Sequence, residues 1–310
     1  MYFPYLRGKQ FELIALRELS SLMSDNKNKI SPIIEPVRSS STFLTTISEL
    51  AKNDINFNIV VNPSVGDLKN QTKIILDILK NELFNFKNYQ IAIIIDNKTD
   101  IKKIIEEIKT IDISFSGLSL IHNNSIDSIA SLIDSKGSNI VYNIINSQKT
   151  SKRYYREFNK DSRVELDDYF DAQQKNADYI NSPDSFFSEE HLYYKEDGYV
   201  GFSDFLTIGE PYSESGFLPY AIVIHISYTD EKNRIRIKHF VSDSNEDTSD
   251  IAGKFAEALE KLIEWVNSQD IHSIALEEFR RLFNAKHFPG LGSIKKLSIM
   301  HHIELVLNLI

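Results

Sequence analysis

The chain has no cysteine among its 310 residues, which excludes disulfides, thiol nucleophiles and thiolate-bound zinc or iron–sulfur centres in any compartment. Glycine and proline are scarce, at 11 and 8 residues, so flexible linkers and low-complexity stretches have little to form from. No run of 18 apolar residues is available to cross a bilayer, yet 42% of the chain is hydrophobic, enough for a substantial core. A GxGxxG turn after the first strand, a GxxxxGK[ST] loop and a GxSxG elbow are all missing. The sharpest signals for dinucleotide-binding, P-loop and α/β-type serine hydrolase chemistry go with them. The opening Met1-Tyr2-Phe3-Pro4-Tyr5-Leu6-Arg7 lacks the apolar stretch of a signal peptide, so a cytoplasmic protein is expected.

A basic stripe is also lacking. The formal net charge is −9, and between Asp161 and Phe205 there are 12 acidic residues against Arg163, Lys175 and Lys195, a local excess that equals the charge of the whole chain. The remainder is formally neutral. Direct binding of duplex DNA by this chain alone is therefore disfavoured, and the acidic segment reads as a surface for a cation or a protein partner.

What is present is a βα rhythm. Strand-like runs at Tyr2–Leu6, Ile30–Val37, Asn58–Asn62, Gln90–Asp96, Gly117–His122, Asn139–Ile145, Arg163–Asp168 and Tyr199–Leu206 are separated by helical patterns. The helical patterns lie at Gln10–Met23, Thr42–Lys52, Asp67–Leu83, Asp100–Thr110, Ser125–Ser135 and Thr150–Phe158. Ile91-Ala92-Ile93-Ile94-Ile95 is apolar on both faces, as a strand covered on both sides must be. Eight such units predict an α/β chain of the (β/α)8, TIM-barrel-like class. The last third breaks the rhythm with an antiparallel hairpin, Pro219–Tyr228 and Arg234–Val241, inserted after strand eight. Helices follow at Ser249–Asn267, which would be the barrel's eighth helix, at Ser273–Asn284, and at Ser293–Leu309 with Ser293 as N-cap. The division expected is barrel units over 1–216 and hairpin plus helices over 217–310, packed as one structural unit.

In a barrel of this class the loops that follow the strands gather at one rim, so strand-ending side chains are the candidates for chemistry. They are Arg7, Glu35, Asn62, Asp96, His122, Asn143 or Asn146, Asp167 with Asp168, and Ser203 with Asp204. Arg7, Glu35, Asp96, His122 and Asp204 form a candidate acid/base set, with Lys9, Asn62 and Asn143 for substrate binding. Asp167 and Asp168, in the densest carboxylate group, are the candidate ligands for a hard divalent cation such as magnesium. His301 and Glu304 sit three apart on a helix without the HExxH pattern, and Gly290–Lys296 reads as a turn and helix start.

At these residues the sequence resembles a known group. Tyr2, Pro4, Leu6, Arg7-Gly8-Lys9 and Glu12 match a YxPxLKGRxxE-like start, followed by Ser31-Pro32-Ile33-Ile34-Glu35-Pro36. Gly201–Phe205, Pro219-Tyr220-Ala221, Ile224-His225-Ile226, His239–Asp243 and Phe288–Leu305 continue the match over nearly the whole chain. Together they resemble a bacterial family first labelled from a myxobacterial genome, a branch of the wider phage and bacterial beta protein family. Relatives of that kind are often encoded beside a PD-(D/E)XK-type nuclease in mobile or defence-associated loci. The resemblance implies a partner and a context, not a reaction. It raises Arg7 and Glu35 above the other rim positions and adds His225 to the substrate-binding candidates.

Two functions are then expected in competition. One is an accessory or sensor subunit of an anti-phage defence module that binds a partner nuclease. The other is a metal- or acid/base-dependent barrel hydrolase or lyase acting on a nucleotide or phosphorylated metabolite, which requires Arg7, Glu35, Asp96, Asp168 and Asp204 to converge in one pocket.

Overall fold

The computed structural model describes residues 1–126, 129, 139–214, 218–269 and 271–310. Its contacts divide the chain into two compact units. The first comprises Met1–Asp168 and Leu192–Phe205 with the terminal Ile310, and the second Tyr169–His191 and Leu206–Leu309.

The first unit is the expected barrel. Eight parallel strands pair in the order β1 (Tyr5–Leu6), β2 (Ile33–Ile34), β3 (Phe57–Val60), β4 (Tyr89–Ile95), β5 (Gly117–His122), β6 (Ile140–Asn146), β7 (Arg163–Asp167) and β9 (Gly201–Asp204). The ring is drawn together by backbone bonds ahead of β1: Phe3 N–H donates to Phe202 O at 2.9 Å, and Phe202 N–H to Met1 O at 3.1 Å. Strands β1 to β7 send side chains to one interior cluster, joined by Phe3 ahead of β1 and Phe205 just past β9. It contains Phe3, Tyr5, Ile33, Val60, Ala92, Ile94, Ile121, Ile144, Val164, Leu166 and Phe205. All seven residues of β4 are buried, because helices cover the face opposite that cluster.

The helices of this unit form where apolar side chains recur at helical spacing. α3 (Ser41–Lys52) buries Phe43, Ile47, Leu50 and Ala51, and Ser40 caps it by accepting from Phe43 N–H at 3.2 Å. α5 (Ile101–Thr110) buries Ile101, Ile104, Ile105 and Ile108 and is capped by Asp100. The Gln10–Met23 helix is two pieces, α1 (Gln10–Glu18) and α2 (Ser20–Asp25), meeting at Leu19. α4 runs Thr72–Glu82 rather than from Asp67, since Asn70 sits at φ +57°, which a right-handed helix cannot accommodate. Thr150–Phe158 reduces to a 3₁₀ turn at Tyr154–Glu157, and the expected helix Ser125–Ser135 falls largely outside the described residues.

The second unit is built on a three-stranded antiparallel sheet in the order β10 (Val223–Thr229), β11 (Ile235–Val241), β8 (Asp184–Ser188). The predicted hairpin is there, closed by Asp230, whose carboxylate accepts from Lys232 N–H at 2.9 Å and Arg234 N–H at 3.0 Å. β8 was not foreseen. It is five residues long and buries only its last two, so it carries no period-two pattern. Its pairing with β11 is why Tyr169–His191 joins this unit and why the division departs from a break at residue 216. α6 (Ile251–Gln269) lays Phe255, Leu259 and Leu262 inward, and its Trp265 meets Tyr228 and Phe240 at 5.2 and 5.5 Å. That helix therefore covers the hairpin and is not the barrel's eighth helix. α7 (Ile274–Ala285) is capped by Ser273. α8 begins at Leu291 and ends at Leu309, and Ser293 donates to Pro289 O at 3.0 Å instead of capping it.

Candidate functional site

The barrel rim is organised around Glu35. This carboxylate lies just past β2 on the interior side and is fully buried. It accepts from four donors. Tyr5 Oη lies 2.7 Å from Oε2, Arg7 Nη1 meets the same oxygen, and Ser64 supplies its backbone N–H and its hydroxyl, each 2.7 Å from Oε1. The Arg7 guanidinium, whose side chain is 13% exposed, rests 5.4 Å above the Tyr5 ring and 5.5 Å above Phe205. Tyr5 and Arg7 share a face because side chains alternate along an extended chain. The result is a charge-assisted network holding the ends of β1, β2 and β3 together.

The familiar start of the sequence is explained by the same corner. Lys9 is the N-cap of α1, and Glu12, its third residue, is held by the backbone N–H groups of Arg7 and Lys9, half of a capping box. Burial raises the Glu12 carboxyl above its ordinary range, against the pull of Lys9 and Arg7. Gly8 takes φ +62°, and a Cβ there would sit 3.0 Å from Glu35 O and 3.2 Å from Pro36 Cα. Lys9 thus has a place in a strand-to-helix turn seated on the exit of β2.

The other candidates do not join Arg7 and Glu35. Asn62 clasps the backbone of Ile94, donating to its O and accepting from its N, both at 2.8 Å. Asp96 accepts from Lys98 N–H at 2.7 Å and Thr99 Oγ1 at 3.0 Å, the chemistry of a turn. These two do share the wall of a cavity of about 670 Å³, with Ser64 and the first turns of α4 and α5. His122 alternates with the interior Ile121 and so points to the helix side. There its Nε2 meets Asn143 Oδ1 at 3.1 Å, its Nδ1 meets Tyr154 Oη at 3.2 Å, and Phe158 packs on the ring. Burial pushes its pKa down to about 4, so the ring is neutral at physiological pH. Asn143 also donates to Ser162 Oγ at 3.0 Å, a lattice between β6 and the segment before β7.

Asp204 is buried and accepts from Tyr2 Oη at 2.8 Å, while Tyr2 stacks on Phe202 at 5.3 Å. Phe3 lies inside the barrel, so Tyr2 and its bonded Asp204 lie on the other face. Ser203, which the resemblance also touched, donates to Phe3 O. Asp167 takes the Ser147 hydroxyl and the Asp168 N–H, the latter at 2.6 Å. Among the described residues no group of three or more His, Asp or Glu side chains assembles to hold a metal ion, so any cation at the Asp167–Asp168 pair would keep most of its ligands as water. The acidic segment 161–205 does not belong to one unit. Its members divide between the two units, and Asp184 is paired with Arg236 and Tyr228.

His225 belongs to a different cluster, in the second unit. It stands directly opposite His239 in the β10–β11 hairpin, with the two Nδ1 atoms 2.7 Å apart, and His239 Nε2 meets Ser185 Oγ at 3.0 Å. Tyr179 and Phe170 pack edge-on against the His225 ring at 4.8 and 5.1 Å. Burial is the main reason His239 is held down to about 4, against the opposing pull of Asp184 and Asp171. His301, singled out in sequence beside Glu304, is bonded to Ser227 O at 2.7 Å and Ser273 Oγ at 2.8 Å, while Glu304 caps Ile274 N–H at 2.9 Å. Both hold α7 and α8 in place.

Tyr5, Ser64 and His239 were missed by sequence reasoning although signals existed. Tyr5 is two residues before Arg7, Ser64 two after Asn62, and a hairpin closed between Thr229 and Ile235 sets His239 against His225. Compared with known proteins, the chain matches no protein-family model and no curated protein. Among the described residues no helix is long and apolar enough to cross a membrane.

Proposed function

We propose that the chain is an accessory or sensor subunit of an anti-phage defence module, in which the barrel is a scaffold that binds a partner nuclease. The observation that carries the non-catalytic part is the state of the rim. Glu35, fully buried, has both oxygens occupied by Tyr5, Arg7 and Ser64, and Asp204 and His122 face away from it. General acid/base work needs a titrating group within reach of a substrate proton, with room for that substrate beside it. A carboxylate saturated by four donors in the strand ends supports a structural role instead. The nuclease, and the defence context, rest on the family resemblance of the Tyr2–Glu12 and Ser31–Pro36 segments.

Co-expression of the full chain with the nuclease encoded beside it tests the proposal. Co-purification in a fixed ratio, together with loss of phage protection when the chain is deleted, is the expected result. Clean failure to associate, with protection unaffected by deletion, overturns it.

The cavity beside Asn62, walled by Lys69, Lys73, Lys98 and Lys103 against Asp96, Asp100 and Glu107, favours a second reading, an anionic metabolite held near the lysines. Binding of a phosphorylated metabolite that is abolished by Lys73→Glu and Lys103→Glu together would promote it.

A further inference from the structure

The second unit contains a cavity of about 1180 Å³ that no part of the barrel argument uses. It exceeds the usual ligand-pocket range of about 300–1,000 Å³. Its wall includes the aromatic rings of Phe170, Tyr179 and Tyr220, and Tyr220 is 59% exposed. His225, against which Phe170 and Tyr179 pack, lines it as well. So do Lys295 and, from the first turn of α8, Leu291 and Gly292. Gly290 O takes the Ser293 and Ile294 N–H groups at 3.1 and 3.4 Å, and the Leu291 and Gly292 N–H groups precede any acceptor the helix itself can offer. A second ammonium, Lys175, is in the wall, and the carboxylate there, Asp178, is bonded to Lys175 N–H at 3.2 Å. In a chain of net charge −9 this concavity is biased toward positive charge.

We propose that this cavity binds a small anion carrying a planar ring, of the nucleoside monophosphate class, with the ring against Phe170 and Tyr220 and the phosphate between His225, Lys295 and the first turn of α8. Each part of the ligand meets the chemistry that suits it: aromatic faces for the base, and an ammonium with helix N-terminal amides for the phosphate. The His225–His239 pair sets the character of the remaining contact. One proton lies between the two Nδ1 atoms. When His239 holds it, His225 carries its other proton on Nε2 and presents a donor to the cavity, while His239 Nε2 accepts from Ser185. When His225 holds it, Nε2 is bare. A phosphate oxygen selects the donor form, so Ser185 and His239 are positioning residues for the ligand contact. The cavity would bind its ligand whether or not the barrel docks a nuclease.

Isothermal titration of the full chain with AMP, GMP, CMP, UMP, adenosine and inorganic phosphate tests this. At least one monophosphate is expected to bind below about 1 mM, with adenosine and phosphate each weaker by about tenfold or more. Lys295→Glu, at an exposed position, is expected to weaken that binding by about tenfold with an unchanged melting temperature, and His225→Gln to weaken it by a similar factor. Absence of binding by all four monophosphates overturns the proposal. So does binding that Lys295→Glu leaves unchanged, or phosphate alone binding as tightly as the nucleotide.

Discussion

Replacing Glu35 by Gln removes one charge and little volume, so its consequences separate a structural carboxylate from a catalytic one. The Gln oxygen still serves Ser64, and its amide nitrogen can donate to the Tyr5 hydroxyl. It cannot accept from Arg7, however, and two donors then face each other with the guanidinium left against Tyr5 and Phe205. Removing one partner of a buried pair costs about 3–5 kcal/mol. Glu35 is fully buried but Arg7 keeps 13% exposure, so water recovers part of that and a cost of about 3 kcal/mol is expected. For a domain of this size that is a drop of about 6–12 °C in melting temperature. Arg7→Met should cost at least as much, since it leaves the carboxylate as the uncompensated charge. Arg7→Met with Glu35→Leu should recover only part of either loss, because no buried charge is left unpaired but the Tyr5 hydroxyl and the two Ser64 donors lose their acceptor. Calorimetric unfolding of the parent, Arg7→Met, Glu35→Leu and the double variant yields the coupling directly. A Glu35→Gln protein that melts within about 2 °C of the parent and yet fails to protect cells refutes the reasoning.

Three further outcomes follow from the same contacts. His122 and His301 are held at about 4 in the folded chain, by burial above all, against about 6.5 when unfolded. The unfolded chain then binds more protons between those values, so stability is complete above pH 6.5 and falls by about 3 kcal/mol per histidine as pH drops toward 4. Urea unfolding that is flat between pH 7 and 5 contradicts this. Gly8→Ala should destabilise the barrel by about 1–2 kcal/mol through its positive φ alone, and more through the approach to Glu35 O; an unchanged denaturation midpoint would show that the β1–α1 turn is not seated on β2. Tyr2→Phe takes a donor from the buried Asp204 and should cost about 1–3 kcal/mol in the same assay, with no effect there implying that the hydroxyl contributes nothing to closure.

The architecture was legible because eight strands are either apolar on both faces or end abruptly in polar residues, and both features follow from a parallel sheet under helices. What periodicity could not supply is partnership. β8 has adjacent phenylalanines and no alternation, and only its pairing with β11 makes it a strand. The Ser249–Asn267 pattern gave a helix but not the sheet it covers. At the rim, reading strand ends picked out Arg7 and Glu35, which the fold joins in an ion pair. It also swept in His122 and Asp204, because residues one step apart at a strand end face opposite ways. The Arg7-Gly8-Lys9-Glu12 start looked functional in sequence, since a short strand and surface helix have no evident need of those charges. The fold supplies the need: a cap, a left-handed turn and an ion pair at one corner.

The central claim is that the barrel mouth supports a scaffold and performs no proton chemistry, and the Arg7→Met, Glu35→Leu double variant tests it most directly. That protein lacks the ion pair at the mouth and keeps the packing around Tyr5 and Phe205. Phage protection and nuclease co-purification should both stay near parental levels once its melting temperature confirms the fold. A double variant that folds and binds the nuclease but no longer protects would contradict the account.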